Sequence, residues 1–268
     1  MAPVILSIEG NIGAGKSTLL KYMKTNLTEV DDVPIVYVDE PVDEWDTIRS
    51  EDNKTMLELF YAHPKRYAFS FQMMAYISRL ANLSNVVKRN PYAIIVTERS
   101  LLTDYHIFAK MLHESNEITL EEYTIYCKWF HHFNTYTVNG VIYLKCSPEK
   151  AMEHCVTRNR PGENLTLEYL QKLQDKHEEW LSTEQDVGIL TVQTETDVEE
   201  ILYEIETFMS EFIDPAQDDF LGNCIQLAIS KYQNYTRSNV MVMLYGFSSI
   251  ALFYIIKSID FQKNNQFR

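Results

Sequence analysis

The sequence predicts an α/β fold, a five-stranded parallel sheet with helices on both faces, on three observations. Five short apolar runs have the length of buried strands. Segments with helical period alternate with those runs. A glycine-rich loop stands directly between the first run and the first helical segment.

Taken in order, Val4–Ile8 is the first strand and the helical pattern of Ser17–Leu27 follows it. Ile35–Val38 is the second strand, and the long period over Lys65–Val87 leads to the third, Ala93–Val96. Leu120–Phe133 precedes the fourth strand, Val141–Leu144. Pro148–Val156 and Leu167–Leu181 precede the fifth, Ile189–Val192, and Val198–Phe212 closes the pattern. Right-handed crossovers follow from this alternation, and ligands are expected at the carboxyl ends of the strands.

The chain has 268 residues, 46 % of them apolar, enough for a sizeable core, and a net charge of −14. So acidic a surface excludes broad nucleic-acid binding, though a polyphosphate can still be held by local backbone N–H groups. Residues 215–268 carry five basic and three acidic residues, a net of +2, which leaves −16 on residues 1–214 and marks a separate segment. Cys127, Cys146, Cys155 and Cys224 are scattered without a C-x-x-C and read as reduced thiols of a cytoplasmic protein. No signal peptide is expected, because the first strand starts within three residues of Met1. His131-His132 reads as a helix-surface pair rather than a metal site.

Gly10-Asn11-Ile12-Gly13-Ala14-Gly15-Lys16-Ser17 matches G-x-x-x-x-G-K-[ST] and is followed by Thr18. Glycines let the backbone wrap phosphate oxygens, and the helix N-terminus supplies partial positive charge. Lys16 can reach the β- and γ-phosphates of ATP, and the Ser17 hydroxyl suits Mg²⁺. The loop makes the fold a P-loop NTPase or kinase fold, but leaves the reaction open.

Three polar islands stand at later strand ends. Asp39 to Trp45 follows the second strand, where the Glu40 carboxylate can take a proton from a substrate hydroxyl. Glu98-Arg99-Ser100 follows the third strand and sets a carboxylate and a guanidinium beside the phosphate loop. Arg158 and Arg160, before Pro161-Gly162-Glu163, suit a lid that closes over a transferring phosphoryl group.

Together these motifs resemble the deoxyribonucleoside kinase family, which includes deoxycytidine, deoxyguanosine and mitochondrial thymidine kinases. The resemblance runs from about Val4 to Phe212. It rests on residues 9–18, Glu-Pro-Val at 40–42 with Trp45, Phe71-Gln72, Glu-Arg-Ser at 98–100, the Arg-x-Arg lid, residues 167–170 and Lys176-His-Glu178. It implies a catalytic domain at 1–214 that moves the γ-phosphate of ATP, with Mg²⁺, to a deoxynucleoside 5′-hydroxyl in nucleotide salvage. Glu40 is then the general base, Arg99 steadies base and phosphates, Lys16, Arg158 and Arg160 hold phosphate charge, and Ser17 and Glu98 serve the metal. Tyr61 and Glu163 hold the sugar 3′-hydroxyl, Gln72 reads the base edge, and Trp45, Phe71 and Phe108 wall the base.

Members that take cytosine or purine nucleosides carry an Arg and an Asp near the base, and thymidine kinases carry apolar residues there. The matching positions are Arg79 and Asp104, with Ala75 one turn before Arg79. Such a pair bonds exocyclic groups and crowds the 5-methyl of thymine, so deoxycytidine, deoxyguanosine or deoxyadenosine is expected over thymidine. Relatives often carry a further arginine one turn before the lid pair, where this chain has His154. Thr194–Asp197 is expected to border the ATP adenine by analogy. The family commonly forms homodimers through helices, and 65–87 is a candidate face.

Residues 215–239 read as a connecting segment, 240–256 as a transmembrane tail anchor, and 257–268 as a polar tail. Residues 240–256 carry no charge and span roughly 25 Å as a helix, just short of a ~30 Å hydrocarbon core. The competing readings are a nucleoside monophosphate kinase, whose acceptor phosphate needs extra fixed positive charge, and a catalytically idle nucleotide-binding interaction module.

Overall fold

The five expected parallel strands are present in the computed structural model, which describes residues 3–213. Strand β1 (Val4–Glu9) is central, and its alternate residues are buried on opposite faces. Leu6 and Ile8 pack with Leu20, Met23, Ile205 and Met209 on one side of the sheet. Ile5 packs on the other with Tyr76, Leu173 and Trp180. Each fully buried Leu or Ile contributes about 1.5–3 kcal/mol, so a two-sided core calls for apolar residues on both faces of the strand, supplied here by Ile5 on one and Leu6 and Ile8 on the other.

The remaining strands are β2 (Glu29–Val30), β3 (Val33–Val38), β4 (Ile94–Glu98), β5 (Gly140–Lys145) and β6 (Gly188–Gln193), in the order β2-β3-β4-β1-β5-β6. Ile8 sits opposite Glu98, and Glu9 opposite Tyr143, so the carboxyl ends of three strands come level. From β1 the chain runs first to the β3 side and later to the β5 side. The loop after β1 therefore lies at the switch point, where a parallel sheet opens a crevice.

The sheet has six strands, against the expected five. The addition is β2, a two-residue strand antiparallel to β3 through Val30 and Val33. Two residues carry no readable period, and β2 exists only because β3 is there to pair with it.

The helices are α1 (Lys16–Asn26), α2 (Val42–Trp45), α3 (Met56–Ala62), α4 (Pro64–Arg89), α5 (Leu101–Thr103), α6 (Lys110–Glu114), α7 (Leu120–Phe133), α8 (Pro148–Arg158), α9 (Leu167–Thr183) and α10 (Val198–Ser210). A π-helical turn, Asp104–Ala109, joins α5 to α6. Sequence periodicity missed α2, α3 and the stretch from Leu101 to Glu114. Helix α8 runs to Arg158, so the first lid arginine ends a helix rather than standing in a loop. The long α4 has Pro64 in its first turn, where no N–H is needed, and buries Gln72, Ala75 and Arg79.

Among the described residues no helix is long and apolar enough to cross a membrane. The expected connecting segment 215–239, anchor 240–256 and tail 257–268 lie outside the described residues.

Candidate active site

The strand ends and the helices around them enclose one cleft of about 1010 Å³. Ile12 to Thr18 line one end. Gly10 and Gly13 explain why the loop must be glycine-rich. At φ 144° a Cβ on Gly10 would stand 2.5 Å from the Leu144 carbonyl oxygen, and at φ 81° one on Gly13 would stand 2.3 Å from that of Ala151. Asn11 turns away from the cleft, its amide donating to the Leu170 carbonyl at 2.9 Å and tying the loop to α9. Gly15 opens α1 without a side-chain cap, so the first-turn N–H groups are open to an anion.

Lys16 folds back and donates to the carbonyls of Asn11 at 2.7 Å and Gly10 at 3.2 Å. Burial, reinforced by the Arg99 guanidinium, brings its ammonium down to about 7. The Ser17 hydroxyl donates to Glu98 Oε1 at 2.7 Å. A hydroxyl and a carboxylate meeting at the base of a phosphate loop are the hard oxygen donors Mg²⁺ prefers, so the residues present fit that ion.

The opposite end is held by a buried charge cluster. Arg79 forks between two carboxylates. One guanidinium nitrogen bonds Asp104, and the other bonds Glu40 Oε1 at 2.7 Å. Arg99 Nε approaches the same Glu40 oxygen at 3.6 Å. Burial works to raise the Glu40 carboxyl, but Arg79, Arg99 and Lys16 together hold it below the usual carboxylate range. Burial holds Asp104 above that range, offset only in part by Arg79.

Arg99 is buried with φ 64°, a left-handed backbone that costs a non-glycine residue roughly 1–2 kcal/mol. Its N–H donates to the Ile8 carbonyl at 3.0 Å, and its guanidinium lies 4.9 Å from the centroid of the Phe108 ring. The strained turn aims the side chain back across the strand ends toward Glu40.

Trp45 and Phe71 meet edge to face at 5.6 Å, and Trp45 Nε1 donates to the Ser78 hydroxyl at 2.8 Å. Gln72 Nε2 reaches the Asp104 carbonyl at 3.4 Å. The π-helical turn carries both Asp104 and Phe108 to the cleft wall.

At the lid, Arg158 Nη2 contacts both oxygens of Glu163, at 2.8 and 2.7 Å. The residue expected to hold phosphate and the residue expected to hold the sugar are therefore partners here. Arg160 and Tyr61 line the same wall, and burial first, then Tyr169 and Glu163, push the Tyr61 phenol up. His154 also lines the cleft and meets the Gly13 carbonyl.

The expected residues from Ile12 to Thr18, with Glu40, Trp45, Tyr61, Phe71, Gln72, Arg79, Glu98, Arg99, Asp104, Phe108, Arg158, Arg160 and Glu163, all line this cleft. Thr194 and Thr196 line it too, with Val198. Sequence reasoning missed Leu57, Phe60 and Tyr169. Phe60 stacks on Phe71 at 4.9 Å. For Leu57 and Phe60 the available signal was the capping box Thr55-Met-Leu-Glu58, which opens α3 and was legible as T-x-x-E.

A family model described as deoxynucleoside kinase matches residues 6–215. The mouse (Mus musculus) deoxycytidine kinase is 32 % identical over 240 residues, covering 76 % of this chain and 90 % of that protein. A probable deoxycytidine kinase of Fowlpox virus (strain NVSL) is 37 % identical over 181 residues, 66 % of this chain and 71 % of its own. The mitochondrial deoxyguanosine kinase of Xenopus laevis is 35 % identical over 198 residues, 66 % of this chain and 72 % of its own.

Proposed function

The chain belongs to the deoxynucleoside kinase family, and on that premise we propose that it phosphorylates deoxycytidine or a purine deoxynucleoside in preference to thymidine. The reaction class is deoxynucleoside phosphorylation in salvage, with ATP as phosphoryl donor. One observation supports the assignment of roles above the rest: Glu40, gripped by Arg79 and Arg99, stands in the same cleft as Lys16 and the phosphate loop.

In this reading the 5′-hydroxyl lies against Glu40 and gives up its proton there as it attacks the γ-phosphorus, while the bond from that phosphorus to the β,γ-bridging oxygen breaks and ADP leaves. A carboxylate held low by the cations around it is a weak base, which suffices because phosphoryl transfer has a loose transition state with little charge on the nucleophile. Arg99 keeps Glu40 in place, and Lys16, Arg158 and Arg160 carry the charge of the moving phosphoryl group. Ser17 and Glu98 are the residues that would hold Mg²⁺, which when bound neutralises phosphate charge. Tyr61 and Glu163 hold the 3′-hydroxyl, and Gln72 faces the base between Phe71 and Phe108.

The base preference rests on Arg79 and Asp104. They occupy space a 5-methyl group would need, and they present a donor and an acceptor to an exocyclic group. A monophosphate acceptor is disfavoured, because its phosphate would meet Glu40, Asp104 and Glu163.

The proposal includes a homodimer. Ile77 of α4, and Ile125, Trp129 and Phe133 of α7, are exposed large apolar side chains on two helices that pack together.

The test is turnover by the purified chain of ATP, Mg²⁺ and each of the four deoxynucleosides. Glu40→Gln is expected to retain ATP binding and lose about 10²–10⁴-fold in kcat. Full activity of E40Q would remove Glu40 from the mechanism, and a preference for thymidine would remove the Arg79–Asp104 argument while leaving the kinase intact.

A further inference from the structure

His154 stands at a junction that the roles above leave unexplained. Its Nδ1 meets the Gly13 carbonyl oxygen at 2.7 Å, across 141 positions of sequence. A carbonyl only accepts, so Nδ1 carries the proton in this contact.

The contact is part of a seat. Ala151, His154, Cys155 and Arg158 recur at helical spacing and share one face of α8. That face lies on the tip of the phosphate loop, where a Cβ on Gly13 would come 2.3 Å from the Ala151 carbonyl oxygen and 2.7 Å from Cys155 Sγ. Van der Waals contact alone leaves α8 free to slide and the Gly13 peptide free to turn. A hydrogen bond from His154 removes both freedoms. It also keeps an oxygen with partial negative charge directed at α8, rather than at the phosphates the loop's N–H groups are arranged to hold.

We propose that His154 is a positioning residue for the phosphoryl donor, whose Nδ1–H latches the lid helix to the phosphate loop and holds the Gly13 peptide in its anion-binding orientation. The proposal rests on the reading of the phosphate loop as the donor site, and it concerns the donor half of the cleft alone.

The donor role and the bulk of the ring separate cleanly by substitution. Asn offers Nδ2–H at the same number of bonds from Cβ but has no ring. Phe keeps a ring and has no donor. His154→Phe is expected to raise the KM for ATP roughly three- to tenfold, the range of one lost hydrogen bond. Its KM for the nucleoside should not change. His154→Asn is expected to stay within about twofold of the parent for both. His154→Ala, which cannot overpack, should match His154→Phe. ATP titrations of the full chain without nucleoside should rank the three variants in the same order.

The proposal is overturned if H154F and H154A bind ATP as the parent does, if H154N is as impaired as H154F, or if the KM of the nucleoside rises in step with that of ATP. Lys16→Met is the control for the underlying reading. If it abolishes ATP binding while H154F has no effect, the latch fails and the donor site stands. If K16M binds ATP as the parent does, the donor site itself is misplaced and the latch falls with it.

Discussion

Replacing Arg79 by Met tests whether the fork between Glu40 and Asp104 holds both the fold and the choice of base. Arg79 and Asp104 are nearly sealed from solvent, with side chains 7 % and 3 % exposed. Breaking one partner of such a pair typically costs about 3–5 kcal/mol, because the other charge stays buried. Two features put this case near the lower end. Asp104 is already held up by burial and can take a proton, and Glu40 keeps Arg99 at 3.6 Å. At about 2–4 °C per kcal/mol for a domain of this size, R79M is expected to melt roughly 6–12 °C below the parent. The double variant R79M/D104L replaces the pair with apolar groups and should recover most of that loss, since a buried ion pair and an apolar substitute are often near equal in stability. Calorimetry of parent, both single variants and the double variant closes the cycle, with an expected coupling of about 2 kcal/mol. The same proteins assayed on four deoxynucleosides should show kcat/KM for thymidine rising relative to deoxycytidine in the double variant. Removing Arg79 also removes the leading cation that lowers Glu40, so the acid limb of kcat/KM should move to higher pH in R79M. An R79M protein melting within about 2 °C of the parent, or a double variant no more stable than R79M, would refute the reasoning.

Two further outcomes follow from other parts of the molecule. Burial and Arg99 bring Lys16 down to about 7, and phosphate bound to it must raise it again. ATP binding should therefore take up protons, with affinity highest below pH 7 and falling as pH rises through it. Calorimetry at pH 7.5 in two buffers of different ionisation enthalpy reads this directly, and an identical heat in both would contradict it. Separately, Trp129→Glu combined with Ile77→Glu should convert the proposed dimer to a folded monomer in sedimentation velocity, whereas an unchanged sedimentation coefficient would exclude this face.

Much of the cleft was legible because its signals are local. The phosphate loop is eight consecutive residues after a strand, and Glu40, Glu98 and Arg99 each follow an apolar run by two or three positions. Strand ends in a parallel sheet converge whatever packs around them, so those groups had to meet. Helices of three turns or more, such as α7 and α9, carried enough period to be placed almost to the residue. Shorter pieces did not. Helix α3 has seven residues, and the π-helical turn breaks the 3.6 period at Asp104, where the site needs it broken.

The sequence by itself determined the phosphate loop, the strand order's alternation with helices and the family of the chain, because each depends on neighbours along the backbone. Only the tertiary structure decided that Arg79 grips Glu40 and Asp104 at once, that Arg158 is partnered by Glu163, and that His154 holds the Gly13 carbonyl. Those contacts join side chains whose partners are chosen by distance, burial and charge. Such choices become visible when α4, α8 and the π-helical turn are packed around one cleft, since a buried charge must find its partner in space, whatever its distance along the chain.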